Sequence, residues 1–193
     1  MKVISISYNI TPTYKPVTCE ADYAMVQRGL YNLRDVLIRP WSDLDIQHRG
    51  NIVVFTEEWK VTVTFLYKKK KYKFKYVFSP GFICDKGSIP KIARSYVDND
   101  CPEFLFGFFV HDANYACHFP GVDRDMSDQL LRYMGRYGAE NKGDTIKPKA
   151  GAIKAFAVYR AVWIAGAGAW EKERQTLAIE RQFVSMYPVI TNV

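Results

Sequence analysis

From residue 60 to residue 78 the chain alternates strictly between two kinds of side chain. Val61, Val63, Phe65 and Tyr67 take turns with Lys60, Thr62, Thr64 and Leu66; after Lys68-Lys69-Lys70-Lys71 the alternation resumes with Tyr72, Phe74, Tyr76 and Phe78 against Lys73, Lys75 and Val77. A period of two on both sides of a short polar turn predicts an antiparallel hairpin with one apolar and one basic face. An aromatic sheet face cannot be left in water, so other elements must cover it. Any fold for this chain has to answer that demand.

Helices are the predicted answer. Phe104-Leu-Phe-Gly-Phe-Phe-Val-His-Asp-Ala-Asn-Tyr115 is a dense apolar run in a chain of 193 residues with 48% hydrophobic and 15% aromatic content, and it reads as a buried helix to about Cys117. The stretch Asp98-Asn99-Asp100-Cys101-Pro102 supplies its expected cap and first-turn proline. Pro120-Gly121 interrupts, and Asp123 or Asp125 caps a second helix carrying Met126, Leu130, Leu131 and Met134, ending near Gly138. A third helical pattern opens near Pro148, with Ile153, Phe156, Val158, Tyr159, Val162 and Trp163 among alanines. The expected fold is α+β: an antiparallel sheet containing the basic hairpin, packed against about three helices.

Around this core, residues 1–50 read as an N-terminal arm or subdomain. Val3, Ile4 and Ile6 offer a short strand there, Pro12 and Pro16 punctuate an extended segment, and Asp22 to Ile38 has helix-compatible spacing. Residues 51–171 form the α+β domain, in which Val53 to Thr56 is a further short β-rich run; residues 172–193 read as a polar tail that leaves the core. The apolar stretch 150–170 carries Lys154 and Arg160 near its middle, which argues against a transmembrane span, and Met-Lys-Val-Ile-Ser-Ile-Ser-Tyr lacks the apolar core of a signal peptide. The four cysteines (Cys19, Cys84, Cys101, Cys117) contain no C-x-x-C pair and are read as reduced, mostly buried thiols of a protein made in a cytoplasm.

Two sets of residues stand out as candidate sites. On the apolar helix His111 and Tyr115 share a face, whereas Asp112 points about 100° away. The short connection from Cys117 to Asp123 predicts an antiparallel helix pair, which returns Asp128 to His111. A carboxylate on one ring nitrogen leaves the other to take a proton from water, and Asp112 could help to hold a metal ion: a hydrolytic arrangement. The same set also pins two helices together, and residue types alone favour that pin. Upstream, Asp85 and Ser88 sit in a Pro/Gly-rich loop, either bonding their own backbone or joining the site. The second set is Lys68, Lys69, Lys70, Lys71, Lys73 and Lys75, within a net charge of +7. They form either an anion or nucleic-acid grip, or a solvated face that guards an edge strand.

The motifs Phe82-x-x-Asp85-x-Gly87-Ser88-Ile89-Pro90, His111-Asp112-x-x-Tyr115, Ser127-Asp128 and Tyr159-x-x-Val162 with Trp170 resemble, in order over residues 52–170, a phage and prophage domain family of unknown function. That family carries a D-x-A-S-x-P loop, an H-D-x-x-Y helix and an aspartate on the next helix; Gly87 stands where it has alanine. The resemblance implies a viral origin. The helix pair is also locally similar to secretory and parvoviral phospholipases of the A-two type. That likeness implies His111 as base, Asp112 as a calcium ligand, Asp128 as orienter and Tyr115 within the network, although the Tyr-x-Gly-x-Gly calcium loop and the cysteine scaffold are absent.

The expected function is a phage virion or assembly protein of tail, neck or baseplate type, with other phage structural proteins as partners. A host-envelope ester or amide hydrolase using His111, Asp112 and Asp128, with Asp85 and Ser88 from the loop, is the alternative. A nucleic-acid-binding accessory protein is the second alternative.

Overall fold

A computed structural model describes residues 1–16, 53–84, 104–141, 148–173 and 183–192. The hairpin is its spine. Strands β4 (Trp59–Tyr67) and β5 (Lys70–Phe78) pair without interruption from Trp59↔Phe78 to Tyr67↔Lys70, and every second residue of β4 is buried. Lys68 and Lys69 make the turn with φ of 47° and 61°. Two successive left-handed residues match the right-handed twist of the strands they join, a conformation that costs lysine more than the usual Asn-Gly.

The strands β1 (Lys2–Tyr8) and β7 (Val184–Asn192) complete an antiparallel four-stranded sheet of order β1-β4-β5-β7. The short strand expected around Val3, Ile4 and Ile6 is present, whereas the tail expected to leave the core does not leave it. Residues 2–8 are an edge of the main sheet, and the tail returns to pair with β5 along its whole length, with Val184 buried against the core. Ile4 falls between the paired residues Val3 and Ser5, so the ladder slips there and Ile4 faces solvent. Pro188 pairs with Phe74 within β7, an edge strand, which is where a sheet tolerates proline. A smaller sheet, order β2-β3-β6, joins Tyr14–Pro16, Val53–Phe55 and Ile83–Cys84.

Helices α1 (Leu105–Cys117) and α2 (Arg124–Asn141) lie on the inner face of the large sheet, and α3 (Pro148–Glu173) packs on them. Helix α1 is apolar nearly all round because it is enclosed on both sides. Phe109, Val110, Ala113 and Cys117 join the sheet core, while Phe104 and Phe108 join Leu131, Ala155, Val158 and Val162 of the other helices. Phe109 sits 4.9 Å from Phe55 and 5.7 Å from Trp59 between ring centroids. The α+β class is thus observed, with three helices among the described residues.

The cap expected from Asp98 to Pro102 does not start α1. The helix opens at Leu105 with Phe104 at its N-cap and no side-chain cap bond. Phe104 is instead anchored by packing, buried beside Phe108 and against Gly135. His118 ends the helix at φ 45°, with its N–H on the Asn114 carbonyl. Asp123 is the cap of α2, accepting the Met126 N–H at 2.7 Å, and α2 runs past Gly138 to Asn141. The expected helix at 22–38, the loop holding Asp85 and Ser88, the residues Cys19 and Cys101, and the polar stretches 142–147 and 174–182 lie outside the described residues. Among the described residues, no helix is long and apolar enough to cross a membrane.

A Cβ on Gly135 would overlap the Phe104 ring, whereas one on Gly168 meets nothing. Gly135→Ala is therefore expected to lower the unfolding free energy by about 1–3 kcal/mol. Gly168→Ala should raise it by up to about 1 kcal/mol, through helix propensity. Urea denaturation of both variants checks the pair, and an unperturbed Gly135→Ala would contradict the packing described.

Candidate functional site

The polar residues of α1 leave the helix in two directions. Asn114 faces the sheet, where the Tyr76 hydroxyl donates to its Oδ1 at 3.1 Å with both residues fully buried. Burial raises the Tyr76 hydroxyl far above its ordinary pKa, with the Asn114 bond opposing, so it stays a neutral donor. His111 and Tyr115 face α2 and meet Asp128.

Asp128 is fully buried, and Ser127 beside it likewise. His111 Nε2 lies 3.1 Å from Asp128 Oδ1, and the Tyr115 hydroxyl donates to the same oxygen at 2.7 Å. Arg124, one turn before Asp128 on α2, brings its Nε to 3.6 Å from Oδ2 and donates through its other end to the Trp163 carbonyl of α3. Trp170 of α3 packs edge-on against Tyr115 at 4.8 Å and against His118 at 4.0 Å. A Cβ at Gly166 would strike the Tyr115 hydroxyl, so the close approach of α3 requires glycine there. Three helices converge on one carboxylate.

The expected pairing of His111 with Asp128 across the helix pair is thus present. Asp112, expected to face away, does not: its Oδ1 lies 3.7 Å from His111 Nδ1. Successive helix residues diverge at Cα, but a short carboxylate can swing back toward its neighbour's ring. Among the described residues, no group of three or more His, Cys, Asp or Glu side chains is arranged to hold a metal ion. Asp112, turned toward the ring, is not directed as the calcium ligand that the phospholipase likeness implies. Asp85 and Ser88 lie outside the described residues. Arg124 was not singled out from sequence, though its i,i+4 spacing to Asp128 was readable.

Burial acts to depress the His111 pKa. The carboxylates of Asp112 and Asp128 outweigh it and raise the pKa to about 9. His111 therefore carries both ring protons at neutral pH, with its Nε2–H donating to Asp128, and it is only 7% exposed. Tyr115 is pushed strongly upward by burial and by the Asp128 charge, and remains a donor.

The six lysines are divided. Lys71, Lys73 and Lys75 share the outer face of β5, Lys68 and Lys69 form the turn, and Lys70 opposes Tyr67 at the hairpin's end. Since β7 covers β5, the lysine-bearing strand is not a sheet edge, which removes the edge-guard reading.

No protein-family model, curated protein or solved structure matches the chain.

A folded-state pKa above the unfolded value of about 6.5 means that the native state binds the extra proton. The stability this contributes is complete below about pH 6.5 and is lost as pH rises through about 9. The expected loss is on the order of 3 kcal/mol at most, read by urea unfolding between pH 6 and 10. Asp128→Asn should lower the His111 pKa, read by NMR of its ring proton, and flatten that slope. An unfolding free energy level across this window in the wild type would refute the assignment.

Proposed function

We propose that this chain is a structural assembly protein of a bacteriophage particle, of tail, neck or baseplate type, made in the host cytoplasm and carried in the virion. The phage setting rests on the four sequence motifs. The assembly role is carried by one observation, the outer face of α3.

A helix of 26 residues that packs on two neighbours by one side should be polar on the other. Here Ile153, Phe156, Trp163 and Ile164 are 65%, 49%, 46% and 68% exposed. On the helical wheel they share the side opposite the buried Ala155, Val158 and Val162. These side chains leave on the order of 500 Å² of apolar surface in water, near the top of what monomers tolerate as a single patch. Arg160 lies over the Trp163 ring at 5.1 Å, a cation placed within this apolar surface. Such a stripe suits contact with neighbouring protein subunits.

A hydrolase is favoured by one observation, the 3.1 Å approach of His111 to Asp128. Against it stand a ring that keeps its proton at neutral pH and a node enclosed by α3.

Ile153→Asp combined with Ile164→Asp should leave the circular dichroism spectrum and melting temperature unchanged, because both side chains are exposed. It should abolish the concentration-dependent association of the wild type in sedimentation velocity. If the wild type instead stays monomeric to its solubility limit, and His111→Ala loses ester or amide hydrolysis while remaining folded, the hydrolase reading replaces this one.

A further inference from the structure

The sheet has a second side, which neither the helices nor the described loops cover. Its centre is the column Lys71, Lys73 and Lys75 on β5, all exposed. The register places Lys2 beyond Leu66 in the row of Lys71, and Lys60 next to Val77 one row past Lys75. Tyr187 of β7, 57% exposed, stands directly beside Lys75. Every other paired position on this side is serine, threonine, valine or leucine; none is acidic. Glu58, in the loop before β4, pairs with Lys60 at one end of the face. The central column has no carboxylate in register with it.

A solvated sheet face normally mixes its charges, since like charges side by side repel. Lysines on alternate residues of one strand stand about 7 Å apart, a repeat comparable with that of successive phosphates along an extended nucleic-acid strand. Thr62 and Thr64 on β4 flank the column with hydroxyls, which bond phosphate oxygens without reading sequence. The Tyr187 ring offers a surface on which one base can stack. An edge-guarding role is excluded by the position of β5 inside the sheet. A membrane is disfavoured because binding a bilayer requires apolar side chains to enter it, and the large exposed apolar side chains at the paired positions of this face, among the described residues, are Tyr187 and Val189 of β7 alone.

We propose that the outer face of the β1-β4-β5-β7 sheet binds single-stranded nucleic acid, its phosphates along Lys71, Lys73 and Lys75 and a base against Tyr187. The site does not depend on α3 or on His111, so it stands or fails separately from the assembly role. It gives a particle protein one face for its neighbours and another for the nucleic acid that is packaged or passed.

Fluorescence anisotropy of the full chain with a labelled oligothymidylate, titrated at several salt concentrations, tests this. The wild type should bind with a log affinity that falls linearly with log salt. Lys71→Gln/Lys73→Gln/Lys75→Gln should make that slope shallower by about 2, as three phosphate contacts at about 0.7 each require for a single strand. A charge-matched control, Lys15→Gln/Arg136→Gln/Lys154→Gln, away from this face, should leave the slope nearly unchanged. Tyr187→Ala should weaken binding at least about fivefold at every salt concentration. The proposal is overturned by absence of salt-dependent binding, by a triple variant with the wild-type slope, or by binding confined to phosphatidylserine vesicles.

Discussion

A carboxylate with no solvent exposure is the constraint on which the helical layer depends. A buried carboxylate without partners is costly, because its desolvation exceeds what any single hydrogen bond returns. The partners of Asp128 come from all three helices: His111 and Tyr115 from α1, Arg124 from its own α2, and, through Arg124 and Trp170, the far helix α3. The charges nearly balance, with Asp112 and Asp128 facing a protonated His111 and Arg124. The balance is local. A shift of any helix along its axis would strand one of these groups in an apolar interior.

Rotation of α1 is fixed by the same logic. A helix that is apolar on nearly every side could roll between the sheet and α3 with little loss of buried area, since hydrophobic contacts are not directional. Polar bonds are. Asn114 reaches the Tyr76 hydroxyl on the sheet side, and one residue on, Tyr115 reaches Asp128 on the helix side. Two buried hydrogen bonds on different sides of the helix leave α1 one orientation, which sets the positions of Phe104, Phe108 and Phe109 in their two cores. The aromatic stack around Phe55, Trp59 and Phe78 belongs to the sheet core, while the polar bonds select among packings.

What could be read before folding follows from the range of each interaction. The hairpin was legible because period-two alternation is local and runs along both strands on either side of the lysine turn. The His111–Asp128 pair was legible because the short connection between their helices permits little besides an antiparallel return. Strand β7 was hidden by Pro188, which weakens a strand signal, and by a partner, β5, far away in sequence. The strand around Val3, Ile4 and Ile6 was legible, but the bulge at Ile4 breaks the alternation that would have marked its full length along β4. Asp112 was misplaced because a helical wheel gives the direction of Cβ and says nothing of the side-chain torsion beyond it. Closure of the node by Gly166 and Trp170 depends on where a third helix docks, and only tertiary packing decides that.

The electrostatics of the node also bear on why a catalytic-looking set can be architectural. A general base works when it is neutral at the working pH and its free nitrogen meets solvent or substrate. With its pKa raised to about 9, His111 keeps its proton at neutral pH. The cause is the pair of carboxylates flanking its ring: each favours the imidazolium, and Asp112 stands at the nitrogen a water molecule would have to reach. Base strength rises with a second carboxylate, but availability falls faster once carboxylates on both sides favour the imidazolium. A single orienting aspartate leaves a histidine poised for chemistry; two aspartates around a buried ring make it a stable cation. The second carboxylate therefore suits holding helices together better than proton transfer.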